Sequence, residues 1–245
     1  MHGEVRLRHG DGEDTDRPEI DRRDLRLLLL ESVPKNKIRW GAKVERVQKE
    51  SDGTMSIRFA DGNIESEFRL VVGADGAWSK ARSLVSSFTS HFLSPSDETS
   101  LTVKQVTSAT PKYAGRYYLT GNISPESPFY ATAESMAGTG NYMSMGSRRL
   151  VAAMRLGDRS YYTFAGLSLP ESWKSDNAAL LEDPEALRRT LVTKYLLGWS
   201  KTNTDLIAHS DGQFYIWPLY GLAAEDLAWE TVPGVALVGD AAHIS

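Results

Sequence analysis

Two carboxylates are placed where they could hold a ligand. Asp75 follows the apolar run Leu70-Val71-Val72-Gly73-Ala74 and precedes Gly76; Asp240 follows Val235-Ala236-Leu237-Val238-Gly239 and precedes Ala241-Ala242-His243. Each run reads as a buried strand and each acid as the start of a turn into a helix. In open α/β sheets, ligands bind outside the carboxyl ends of the strands. A carboxylate there can accept two hydroxyl hydrogen bonds, while nearby backbone N–H groups meet phosphate. The adjacent glycines let the backbone turn tightly and approach a ligand. One such junction alone reads as an ordinary turn; two imply one sheet and one extended ligand. Arg22 adds a forked, charged donor, although from its surroundings alone it reads as a solvated arginine at a helix start.

Other chemistries are poorly supplied. The 245 residues contain no cysteine, which removes disulfides, thiolate catalysis and cysteine-based metal sites. The histidines (His2, His9, His91, His209 and His243) lack ligand spacing, so no metal site is expected. No Ser-His-Asp or paired-carboxylate pattern occurs, and no catalytic residue is assigned. A net charge of −4 gives no electrostatic case for a nucleic-acid partner. The longest apolar runs, such as Leu27 to Leu30, are far shorter than the roughly 20 residues of a membrane helix. The charged amino terminus has no signal-peptide core, so a cytoplasmic location is expected.

Elements that would position these groups follow from periodicity. Residues 1–18 read as irregular. Asp21 can cap a helix with apolar positions Leu25, Leu28 and Leu29 that ends before Pro34. Short β signals cover 37–40 and 43–47. Met55, Ile57 and Phe59 alternate with polar residues, and Asp61-Gly62 turns the chain back through Ile64 to Phe68 as a hairpin. From about Phe92 prolines punctuate aromatic runs, and strands are expected at 117–120, 142–145, 150–156 and 161–167 of a mostly antiparallel sheet. Tyr117, Tyr118, Phe129, Tyr130, Tyr142, Met143, Met145, Met154, Tyr161, Tyr162 and Phe164 are the candidate pocket walls there. Asp183 and Pro184 open a helix over 184–197 that stops at Gly198, 199–207 continues as helix, and 214–220 reads as a strand placed at an edge or bulge by Pro218.

The segments Gly73-Ala74-Asp75-Gly76-Ala77-Trp78-Ser79-Lys80-Ala81-Arg82, Gly239-Asp240-Ala241-Ala242-His243 and Glu19 to Arg26 together resemble the FAD-dependent aromatic hydroxylases, the group A flavoprotein monooxygenases. The likeness is greatest to the tetracycline-inactivating and salicylate-hydroxylase-like branches. It implies an α/β (mixed α+β) fold, with a partial FAD-binding Rossmann-like domain at 1–93, a substrate-binding sheet at 94–222 and a return to the FAD domain at 223–245. It further implies FAD as cofactor, NAD(P)H as co-substrate and a small aromatic substrate. Arg22, Asp75, Gly239, Asp240 and the Ala241 amide would hold cofactor: Asp240 on a ribityl or ribose hydroxyl, Asp75 toward the pyrophosphate and nicotinamide-nucleotide use. His243 would orient the turn.

The resemblance also implies a chain truncated at both ends. No Gly-x-Gly-x-x-Gly turn occurs in the sequence, and the family's flavin loop would follow Ser245. The 245 residues expressed alone are therefore expected not to hold FAD stoichiometrically. Three readings follow: part of an FAD-dependent monooxygenase, a same-fold reductase or dehydrogenase without oxygen insertion, or a non-catalytic remnant that binds a small molecule or a protein.

Overall fold

The computed structural model describes residues 5–9, 20–86, 109–227, 229 and 231–244, the side chains of 5–9, Ser86 and Glu225 excepted. The division expected at 93/94 lies outside these residues. Contacts divide the chain into two compact units: Met1–Pro34 with Gly115–Leu219, and Lys35–Ala114 with Tyr220–Ser245.

The first unit is built on a six-stranded sheet in the order β1-β7-β8-β9-β6-β10. Its strands are β1 (Val5–His9), β6 (Lys112–Ile123), β7 (Asn141–Gly146), β8 (Arg149–Arg155), β9 (Tyr161–Leu167) and β10 (Asp211–Gly221). The ladders β1–β7, β7–β8, β8–β9 and β9–β6 are all antiparallel. Residues opposite one another in such a ladder share a face, so the register sorts the aromatic side chains. Tyr117 lies opposite Leu167, Tyr142 opposite Ala153 and Tyr161 opposite Ile123, all on one buried face. Helices cover that face. Tyr142 Oη donates to Asn203 Oδ1 of α7 (Lys201–Ala208) at 2.7 Å, and Tyr161 packs at 5.3 Å against Tyr130 of α3 (Tyr130–Ala137). Tyr118, Met143, Met145, Met154, Tyr162 and Phe164 stand on the opposite face, half-buried or exposed.

The predicted helix at 184–197 begins as α6 (Pro184–Thr190) and continues as a π turn, Leu191–Tyr195. Asp183 Oδ1 accepts the amide hydrogens of Glu185 and Ala186, as an N-cap acid should. Two short helices precede it, α4 (Trp173–Asp176) and α5 (Ala178–Leu181). Pro218 lies in β10, which is an edge strand as expected. Three expectations fail in this unit. Val5–His9 is not irregular: it pairs with β7 along its whole length. The helix α1 (Arg22–Ser32) forms, but Asp21 makes no side-chain cap; its carboxylate instead accepts the Gly157 amide hydrogen at 3.0 Å. Nor does α1 bury an apolar stripe, because Leu25, Leu28 and Leu29 are all exposed.

The second unit holds an antiparallel meander of β2 (Val44–Lys49), β3 (Met55–Phe59) and β4 (Ile64–Phe68), and a parallel pair of β5 (Val71–Gly73) and β11 (Val235–Leu237). Its core gathers Val47, Met55, Ala81, Val85, Val232 and Val235. Residues 37–40 form no strand, because the chain makes a 3₁₀ turn over Lys35–Lys37 directly after Pro34. The runs ending at the two acids are also not fully buried. Alternation at period two leaves Leu70, Val72 and Val238 exposed, at 57%, 52% and 48%.

Candidate functional site

The two acid-bearing junctions meet in the second unit. Val235 pairs with Val71, Ala236 with Val72 and Leu237 with Gly73, and the Val238 amide then donates to Gly73 O at 2.9 Å. The strands are parallel, so both chains leave the sheet at the same end. Gly73 is what permits the approach: a Cβ there would stand 2.6 Å from Ala81 Cβ and 2.8 Å from Leu237 Cδ2. The helix α2 (Arg82–Ser86) follows the first acid, and the short α8 (Asp240–His243) begins at the second.

The acids are used differently. Asp75 Oδ1 accepts the Ser79 hydroxyl hydrogen at 2.5 Å and Oδ2 accepts the Lys80 amide hydrogen at 2.6 Å. Burial pushes the Asp75 carboxyl upward, but these hydrogen bonds outweigh it and hold the pKa below the ordinary aspartate value. The carboxylate thus fastens its own turn. Asp240 is exposed, and its carboxylate has no hydrogen bond or ion pair to the described residues. Gly239 before it has φ 58° and ψ −144°, with open space where a side chain would be. A backbone in that conformation favours glycine.

Arg82 joins the two turns, a role that its place in the Ser79-Lys80-Ala81-Arg82 segment did not suggest. It is 2% exposed. Its Nε donates to Ala241 O at 2.8 Å, Nη2 to Asp240 O at 2.7 Å and Nη1 to Ala77 O at 2.7 Å, while its backbone N donates to Ser79 Oγ at 3.1 Å. Burial lowers its pKa, partly offset by Asp75 and Asp226. One guanidinium therefore fixes the main chain at 77 and at 240–241 without engaging the Asp240 carboxylate. On the same turn Trp78 is 55% exposed and meets Tyr220 edge-on at 5.3 Å, and Tyr220 meets Tyr113 at 5.8 Å.

Of the residues expected to hold cofactor, the structure brings together Asp75, Gly239, Asp240 and Ala241. Arg22 belongs to the first unit, exposed at the first position of α1. His243 is exposed, and its amide donates to Gly239 O at 3.0 Å within the turn. The candidate pocket walls divide by face. Tyr117 and Tyr161 spend their hydroxyls on Glu171 O and Gly138 O behind the sheet, and Phe129 stacks on His209 at 4.4 Å. On the open face Tyr118 stacks with Phe164 at 6.2 Å, and Tyr162 meets Phe164 edge-on at 5.5 Å. A separate cleft of about 680 Å³ in this unit sets Arg188, Arg189 and His209 against Glu185 and Asp211, so its charges nearly cancel. Among the described residues no cluster of acids and histidines could hold a metal, and no helix is long and apolar enough to cross a membrane.

Comparison with known proteins gives the arrangement a lineage. No family model matches the chain. A monooxygenase of Emericella nidulans, asqM, is 27% identical over 96% of this chain and 57% of its own length. The chain thus spans little more than half of this curated relative. The structure of Klebsiella pneumoniae HpxO complexed with FAD and uric acid matches with a TM-score of 0.65 at 24% identity, covering 91% of this chain and 48% of that one. A salicylate hydroxylase substrate complex matches with a TM-score of 0.63 at 18% identity over 91% of this chain and 51% of that one. Its sequence relatives are thus monooxygenases, and its fold is the one these FAD-dependent hydroxylases share.

Proposed function

We propose that the protein is an FAD-dependent monooxygenase that uses NAD(P)H and molecular oxygen to hydroxylate a small aromatic or polyketide-like molecule in the cytoplasm. The observation that carries this reading is the parallel β5–β11 pair, with the Asp75 and Asp240 turns side by side and clamped by Arg82. Its donor set fits a dinucleotide. The Asp240 carboxylate, which has no partner among the described residues, suits a sugar hydroxyl, and the open backbone at Gly239 admits a ligand close to the chain. FAD, when bound, supplies the electron transfer to oxygen that no side chain of this protein can carry.

The chain's own residues then bind, orient and shield. Asp240 and the Ala241 amide hold cofactor, and the Asp75 turn keeps the neighbouring backbone in place for nucleotide; Arg22, in the first unit, keeps the cofactor role that the family resemblance of its segment implies. The open face bearing Tyr118, Tyr162 and Phe164 provides an apolar wall for a flat ring and excludes water from it.

Flavin titration of protein expressed from its complete reading frame tests the assignment. Asp240→Ala should weaken FAD binding by about 10- to 100-fold, the loss of one charge-assisted hydrogen bond. Its melting temperature should barely move, because the carboxylate has no partner among the described residues. Asp75→Ala should weaken FAD less and slow reduction by NAD(P)H more. Equal FAD affinity in Asp240→Ala and the parent would remove Asp240 from the site.

A further inference from the structure

Three of the chain's six methionines share one patch. Met143 and Met145 stand two residues apart on β7, opposite Ala152 and Leu150, and Met154 lies on the same face of β8 opposite Asn141. Tyr162 and Phe164 border them on β9, opposite Met154 and Ala152. Met145 is 40% exposed and Met143 and Met154 are half-buried, whereas Met55 and Met136 are 0% and 8% exposed. This is the open face to which the aromatic substrate has just been assigned. The thioether is the group on it that a two-electron oxidant attacks most readily.

We infer that Met145, with Met143 and Met154 behind it, is the sulfoxidation site of this protein, and that its oxidant is hydrogen peroxide. The inference rests on the proposed activity for the supply of that oxidant. A reaction that reduces oxygen with NAD(P)H releases hydrogen peroxide whenever no oxygen atom is delivered to substrate. Peroxide then transfers one oxygen to sulfur: the S–O bond forms, the O–O bond breaks, sulfur loses two electrons, and water leaves. The sulfoxide is polar where the thioether was apolar and adaptable, so the face loses affinity for a flat ring. Turnover without substrate would thereby lower the protein's own capacity for further turnover, and a methionine sulfoxide reductase would restore it.

Hydrogen peroxide added from solution to the protein expressed from its complete reading frame, without NAD(P)H, tests the site independently of the activity. Peptide mass spectrometry should find sulfoxide first at Met145, then at Met143 and Met154, all at least about fivefold faster than at Met55 and Met136. Oxidation of Met55 or Met136 as fast as of Met145 overturns the assignment. Binding of 2-naphthol, followed by its fluorescence, should fall in step in the parent. In the M143L/M145L/M154L variant it should persist relative to that variant's own untreated value; loss at the parental rate also overturns it. Incubation with NAD(P)H and air but no aromatic substrate, with and without catalase, tests the supply. Sulfoxides at the same three residues, suppressed by catalase, support the whole scheme. Sulfoxides from added peroxide but none from NAD(P)H leave the methionine site standing and count against the proposed oxygen chemistry.

Discussion

Asp75 and Asp240 show how one residue type at one kind of position can be committed in two ways. Asp75 is spent on the Ser79 hydroxyl and the Lys80 amide, so replacing it is first a matter of stability. Asp75→Ala should cost about 1–2 kcal/mol at neutral pH, two charged-group hydrogen bonds discounted for exposure. The folded pKa lies below the unfolded one, despite the upward push of burial, so this stabilisation is complete above the unfolded aspartate value of about 4 and fades as pH falls through the folded value. Denaturant melts of the parent and Asp75→Ala should therefore converge on acidification; a gap that stays constant down to about pH 2 contradicts this. The placement of both acids was legible in the sequence, because an apolar run ending in Asp beside Gly is a local pattern. Their different use was not, because it depends on which donors the folded turn presents. Arg82 left even less trace: its partners at 240 and 241 lie 158 and 159 residues away, and no periodicity marks a guanidinium that reaches main-chain carbonyls.

At the scale of elements, that clamp should matter more than any helix cap. Arg82→Lys replaces a fork with one ammonium that cannot serve Ala77, Asp240 and Ala241 together. It should cost about 3 kcal/mol, since the buried Ala241 carbonyl and the part-buried carbonyls of Ala77 and Asp240 lose donors. Asp183→Ala, which removes the α6 N-cap, should cost about 1 kcal/mol. Chemical denaturation of the two variants checks the ranking, and equal losses contradict it. Strands β7, β8 and β9 were legible as aromatic and β-branched runs between glycine-marked turns. Tyr117, Tyr118, Tyr161 and Tyr162 stood together as candidate pocket walls in the sequence; the strand register separates them by face, and α3 and α7 decide which face is covered. The β signal failed at 37–40, where the turn after Pro34 overrides it, and β1 was missed because its order depends on β7, over 130 residues on. The Leu25, Leu28 and Leu29 pattern did form a helix, yet periodicity alone did not reveal that these side chains stand exposed.

At the scale of the whole molecule, the proposed flavin turns belong to one unit and the proposed aromatic-binding face to the other. Its relatives are monooxygenases at about half their length, and its fold is that of hydroxylases. These 245 residues hold no cysteine pair that could take electrons from the cofactor. What separates a monooxygenase from a same-fold reductase or dehydrogenase is where the oxygen atom of the product comes from. The direct measurement supplies protein expressed from its complete reading frame with FAD, NAD(P)H, a phenolic polycyclic substrate and isotopically labelled oxygen gas, and weighs the product. The account predicts one labelled oxygen atom per hydroxylated molecule; a product that is reduced or dehydrogenated without label, formed at the same NAD(P)H consumption, would contradict it.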